Sequence, residues 1–236
     1  MANGFRLIRE LVGESSLLER VLLTASTQFY FNELLTLPAA AGAGSGIAAA
    51  AAATDSPTHV LVAVETPASM MRPAIQNLTT TVGEMGLCYN VAGTGLVFET
   101  DLTGADAPPI NGTAIKTVTN ATTIVVTAAG SSNDYRGGQL YIPEIDQQRT
   151  IVSDTANAGD HTFVVTPAFT VLPVATSNTV RVLPWSKGNV QIKLSASTGA
   201  PMGVSTAVAD KSGGKVKIES VNLKDLKVRV SFPAVY

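Results

Sequence analysis

Between residues 112 and 184 the chain spells out five short runs, at 122–128, 137–142, 148–153, 161–166 and 179–183, rich in β-branched or aromatic side chains and fenced by Gly, Asn, Asp or Pro. Runs of this length between turn formers are too short for stable helices and suit strands joined by tight turns. They predict a small β-barrel or sandwich. The rest of the fold has to be arranged around that block.

The same pattern continues on both sides of it. Residues 20–24, 28–31, 33–37, 59–65 and 95–100 read as strands, and three C-terminal runs at 190–194, 216–219 and 226–232 alternate apolar with charged or polar residues. Such alternation marks half-buried antiparallel strands. The C-terminal strands are expected to complete a sheet begun before residue 111. The chain is therefore predicted to be all-β: a base β-barrel or sandwich of residues 19–111 plus 185–236, with residues 112–184 inserted as a second β-domain. Breaks at Pro108, Pro109 and Pro184 bound the insertion, so its excision is expected to leave the base folded.

Two stretches favour helix. Phe5, Ile8, Leu11 and Val12 fall at helical spacing opposite Arg6, Arg9 and Glu10, so residues 1–18 are expected to be an N-terminal arm or short helix whose apolar stripe, including Phe5 and Ile8, seeks a partner surface. In the low-complexity stretch 39–53, glycines weaken a helix at the front while six consecutive alanines favour one at the back.

Motifs that would carry chemistry lack their context. Gly44-Ser-Gly-Ile-Ala-Ala49 fits a relaxed dinucleotide fingerprint, but it does not follow a strand directly and no further βαβ units come after it. His59 and His161 each open a strand with no metal-ligand spacing around them, and both read as turn or surface residues. Glu144 and Asp146 would share a strand face as a carboxylate pair, although acids are also common at hairpin ends. Residues 154–160 lack the regular oxygen spacing of a Ca²⁺ loop and read as a turn. With no nucleophile placed beside a base, the expectation is a protein that is not an enzyme and holds no cofactor or metal.

Charge narrows the partners. Charged residues make up only 14% of the 236 residues, against about 25% in ordinary soluble domains, so surface is expected to be buried in an assembly. The net charge of −2 argues against nucleic acid as a partner. No apolar run reaches membrane-spanning length, the first residues do not read as a signal peptide, and single Cys88 allows no internal disulfide, so a cytoplasmic site of synthesis without membrane insertion is expected. Residues 186–236 hold eight Lys/Arg against three Asp/Glu, which leaves eight against fifteen in residues 1–185. If the C-terminal strands share one sheet, Lys193, Lys215, Lys217, Lys227 and Arg229 gather on its outer face, where like charges repel across strands and call for an acidic partner. A solvated basic face is the plainer alternative.

Two segments carry a family resemblance. The opening Gln28-Phe-Tyr-Phe-Asn-Glu-Leu-Leu-Thr-Leu, followed by small residues and Thr58-His-Val-Leu-Val-Ala-Val, resembles the β-barrel opening of capsid decoration (cement) proteins of tailed bacteriophages. The stretch from Tyr135-Arg-Gly-Gly-Gln-Leu-Tyr-Ile to Phe163-Val-Val-Thr-Pro-Ala-Phe-Thr-Val-Leu-Pro resembles small β-modules of phage structural proteins. The resemblance implies a virion structural protein on the capsid exterior, made in the host cytoplasm, a homodimer or homotrimer clamping the major capsid protein. A tail or head-fibre protein would share these modules. A carbohydrate-binding β-module is a further alternative, but it would need an aromatic platform, and Trp185 is the only tryptophan.

Overall fold

The computed structural model describes residues 95–102, 107–193, 203–212, 214 and 216–233, together with the backbone of eight short strands before residue 91. Among the described residues the regular structure is strand, apart from 3-10 turns at Pro143–Ile145 and Val208–Asp210. The protein is all-β.

The early strands are β1 (Arg6–Glu10), β2 (Leu18–Leu23), β3 (Gln28–Tyr30), β4 (Leu34–Thr36), β5 (Ile47–Ala50), β6 (Val60–Glu65), β7 (Asn77–Thr79) and β8 (Met85–Asn90). Strands β2, β5, β4, β6 and β8 close a barrel of their own, while β3 pairs with β7. Two helix expectations are corrected here. Arg6–Glu10 is a strand, antiparallel to β9 (Leu96–Asp101), and the alanine-rich Ile47–Ala50 is a strand between β2 and β4. In both places a ladder supplies backbone hydrogen bonds that a short helix would have to nucleate alone.

Nested within the later chain is a closed six-stranded barrel. Its strands are β10 (Ile110–Asn120), β11 (Thr123–Thr127), β12 (Gln139–Ile142), β13 (Gln147–Asn157), β14 (Asp160–Thr166) and β15 (Thr179–Leu183), joined in the order β10-β11-β14-β13-β12-β15. Alternation sets its interior: Ile124 and Val126 on β11, Phe163 and Val165 on β14, and Val180 and Val182 on β15 point inward and are buried. Two-residue turns close the β10–β11 and β13–β14 hairpins, and the 3-10 turn Pro143–Ile145 with Asp146 joins β12 to β13. At Ala158–Gly159 both φ values are positive, 48° and 87°, the geometry that matches strand twist in a tight hairpin.

The barrel lies between strands of a five-stranded sheet. The sheet order is β1-β9-β20-β19-β16, with β16 (Gly188–Val190), β19 (Val216–Asn222) and β20 (Lys227–Ser231) following the barrel in sequence. Among the described residues of the C-terminal run at 190–194, Val190 alone joins this sheet. Ile192–Lys193 forms β17, which pairs instead with β18 (Gly203–Val204).

The two cores meet. Leu96, Phe98, Val216, Ile218, Val228 and Val230 of the sheet pack in one cluster with Tyr141 and Leu183 of the barrel and with Trp185 just beyond it. Trp185 is buried, and its indole N–H donates to the Ser205 carbonyl at 2.9 Å. It therefore offers no aromatic platform to a sugar.

Candidate interaction surface

The outer face of the five-stranded sheet carries Lys217, Lys227 and Arg229, as its alternation requires. Register removes the expected repulsion. Lys217 lies opposite Ser231, Lys227 opposite Asn222 and Arg229 opposite Ser220, so no two of these cations face each other across β19 and β20.

On the other side of β20 stands Glu99 of β9, only 8% exposed. Its carboxylate accepts from Lys227 Nζ at 3.0 Å and from Arg229 Nε at 3.4 Å. Glu99 is also the register partner of Arg6 on β1. A buried carboxylate needs such partners, because desolvation disfavours its charge unless opposite charge and hydrogen bonds surround it. Lys217 in turn pairs with Glu219 at 3.0 Å. The hollow of about 720 Å³ on this face is lined by Glu99, Ser220, Asn222, Asp225, Lys227 and Arg229, two acids against two bases. Most of the basic face is thus neutralised within the chain.

The remaining residues of the expected interface lie elsewhere. Lys193 sits in β17, outside the five-stranded sheet, and Ile8 lies on β1 beside β9. Lys215 and Phe5 fall outside the described residues, as does His59. Sequence reasoning missed Glu99 because its partners are 128 and 130 residues away. The signal was present as an acid directly after the apolar run 96–98 in a strand, a position where a lone carboxylate demands a cation.

His161 is not a turn or surface residue. It is fully buried at an inward position of β14, with its ring stacked on Phe163 at 5.7 Å and edge-on to Tyr135 at 5.4 Å. Asp154 stands beside it, Oδ2 lying 3.4 Å from Nδ1. Burial first, then the nearby Asp134 and Asp154 carboxylates, push the Tyr135 phenol up.

The carboxylate pair proposed from spacing does not converge. Glu144 lies in the 3-10 turn Pro143–Ile145, and its carboxylate accepts from the Thr179 hydroxyl at 2.7 Å and the Thr179 amide at 3.1 Å. Burial pushes the Glu144 carboxyl up, but these hydrogen bonds outweigh it and hold the group below its ordinary value. Asp146 follows in the left-handed region and takes hydrogen bonds from Lys224 at 2.6 Å and the Tyr141 hydroxyl at 2.9 Å, which lower its pKa. Each acid has its own structural partner. Asp160 accepts from Lys116 while Asp154 points inward, so no cation cup forms on the hairpin, and among the described residues no three His, Cys, Asp or Glu groups are placed to hold a metal.

The barrel's most conspicuous outward feature is apolar. Val171, Leu172 and Val174 are each more than half exposed on the segment between β14 and β15. This segment is held firmly. Phe169 and Pro173 are buried on either side of Val171 and Leu172, and Arg149 lies over the Phe169 ring at 5.7 Å. Buried Gln147 receives the Thr170 amide at 3.0 Å and donates to the Val171 carbonyl at 3.3 Å. The side-chain oxygen of buried Asn178 accepts the Val174 amide at 2.6 Å, and the Asn178 backbone N–H donates to the Val174 carbonyl at 3.0 Å. Two buried amide side chains thus fix the backbone that displays three aliphatic groups. Comparison of the chain with protein-family models, with curated proteins and with solved structures returns no match.

Proposed function

We propose that this chain is a non-enzymatic virion structural protein, a capsid decoration or cement protein that works by burying surface on a repeating protein lattice. The observation that carries the reading is the rigid apolar segment Val171–Val174, because aliphatic groups displayed on a fixed backbone gain free energy only when something covers them. Fully burying a Val or Leu side chain contributes about 1.5–3 kcal/mol, so covering the exposed half of three adds roughly 3 kcal/mol. That is less than the roughly 4 kcal/mol of a millimolar complex. One such contact holds nothing firmly, whereas a homodimer or homotrimer engaging several lattice sites at once multiplies it.

The partners on this reading are the major capsid protein and further copies of the chain, and the location is the capsid exterior. Antibody raised against the purified chain, applied with gold label to virus particles encoding it, tests the reading under the electron microscope. Label spread regularly over the heads supports it. Label confined to tails or fibres would move the protein to the tail, and particles without label would end the virion reading altogether.

A further inference from the structure

Among the described residues with placed side chains, the cations fall into two groups. Lys116, Lys217, Lys224, Lys227 and Arg229 pair with carboxylates, Arg149 and Arg181 bond to carbonyls and lie over rings, and Lys211 bonds to carbonyls. The Arg136 and Lys187 side chains are exposed and make no ion pair or hydrogen bond with any described residue. These two lie at the same place. They line one cleft of about 660 Å³ at the junction of barrel and sheet.

Lys211 lines the same cleft. Its ammonium donates to the Asn133 carbonyl at 3.0 Å and the Asp134 carbonyl at 2.6 Å, which uses two of its three N–H groups. The third remains to be offered. Glu219, the one acid in the lining, is already paired with Lys217 and accepts from Ser231. The barrel wall is stiffened by its own amides: Gln148 Nε2 donates to Gln139 Oε1 at 3.2 Å and to the Val221 carbonyl at 3.1 Å, and Gln139 Nε2 donates to Thr150 at 3.0 Å. The cleft thus combines a fixed polar wall with three cations against one neutralised acid.

We infer that this cleft docks an acidic peptide segment of a partner protein, with Arg136, Lys187 and Lys211 receiving its Asp or Glu carboxylates. A guanidinium and two ammonium groups carried by residues that line one cleft match carboxylates spaced along an extended chain. An acidic sugar would also bring carboxylates, but sugar rings gain much of their affinity from stacking on exposed aromatic faces, and Trp185, the aromatic residue in the lining, is 2% exposed. The inference concerns the partner's chemistry and holds whether or not that partner is a capsid.

The test measures fluorescence anisotropy of a short labelled Asp/Ser peptide titrated with the full chain, beside a Lys/Ser peptide and labelled oligogalacturonate. The Asp/Ser peptide alone is expected to bind, and binding should weaken strongly between about 20 mM and about 300 mM salt as screening shortens. Arg136→Gln combined with Lys187→Gln should weaken it roughly tenfold, the effect of two partly exposed charge contacts together. Lys116→Gln combined with Lys224→Gln removes the same net charge outside the cleft and should leave binding unchanged. Thermal melts by circular dichroism verify that each variant is folded. Equal weakening in both double variants would reduce the effect to net charge, and tighter binding of oligogalacturonate would replace the peptide by an acidic sugar. No binding of the Asp/Ser peptide at low salt would also overturn the inference, while particle labelling would still stand or fall by itself.

Discussion

His161 and Asp154 show how one backbone irregularity changes the meaning of two residues. Along β13 strict alternation from the buried Ile151 would turn Asp154 outward, but the register shifts between Ile151 and Ser153, and the bulge turns Asp154 into the barrel. There it meets His161, which β14 directs inward in step with Phe163 and Val165. Neither side chain makes a hydrogen bond with any described residue, so the 3.4 Å approach of Oδ2 to Nδ1 is a close polar contact without hydrogen-bond geometry. Removing one leaves the other buried without compensation. His161→Leu is expected to destabilise the protein by about 1–3 kcal/mol, while the double change with Asp154→Val, which removes both polar groups, should recover most of that loss. Urea unfolding of the two single variants and the double variant measures the coupling. Additive losses would mean that the two groups do not depend on each other.

At the scale of the element, the sheet face is held by Glu99 as much as by its own strands. Lys227 and Arg229 are partly exposed, but the carboxylate they serve is buried, so changing both to Glu would place three acids around one desolvated site. That double reversal is expected to cost about 1–3 kcal/mol of fold stability, discounted for the solvent around the two basic groups, and Glu99→Gln should restore part of it. Guanidinium unfolding midpoints give the answer, and unchanged midpoints in the double reversal would show that the face is merely solvated. The strands themselves were readable in the sequence where β-branched and aromatic residues cluster between turn formers, as on β11, β14 and β15, or alternate with polar ones, as on β19 and β20. Two features were hidden. Strand β10 begins inside what reads as a Pro/Asn/Gly break, and its register shifts at Asn111/Thr113 and Ile115/Thr117 erase the period-2 pattern. The pairing of Glu99 with β20 was also invisible, because cross-strand neighbours far apart in sequence are fixed by topology and not by local pattern.

For the whole molecule, the question is whether the barrel at 110–183 is a passenger on the sheet or part of its core. The barrel has a complete interior, in which Ile115, Ile124, Leu140, Ile142, Phe163 and Val182 are buried among themselves. The sheet does not. Its core includes Tyr141 and Leu183, and the joint is stitched by Arg181, which donates to the Leu223 and Lys224 carbonyls at 2.9 Å, and by Gln148, which receives the Leu223 amide at 3.0 Å. Pro108, Pro109 and Pro184 suggested clean cutting points, but proline marks where a strand must stop and says nothing about which core the neighbouring side chains fill. Losing a large buried side chain costs about 2–5 kcal/mol, and two such losses approach the roughly 5–15 kcal/mol that holds a domain together. A chain in which residues 110–183 are replaced by a short Gly/Ser link is therefore expected to unfold at markedly lower temperature than the intact protein, or to aggregate. The fragment 107–185 expressed alone should melt cooperatively, since its strands close on themselves and leave no edge. Thermal scans of the two pieces beside the intact chain decide the matter. A deletion product as stable as the whole would make the barrel a passenger, and a fragment without a cooperative transition would mean that the barrel needs the sheet as much as the sheet needs Tyr141 and Leu183.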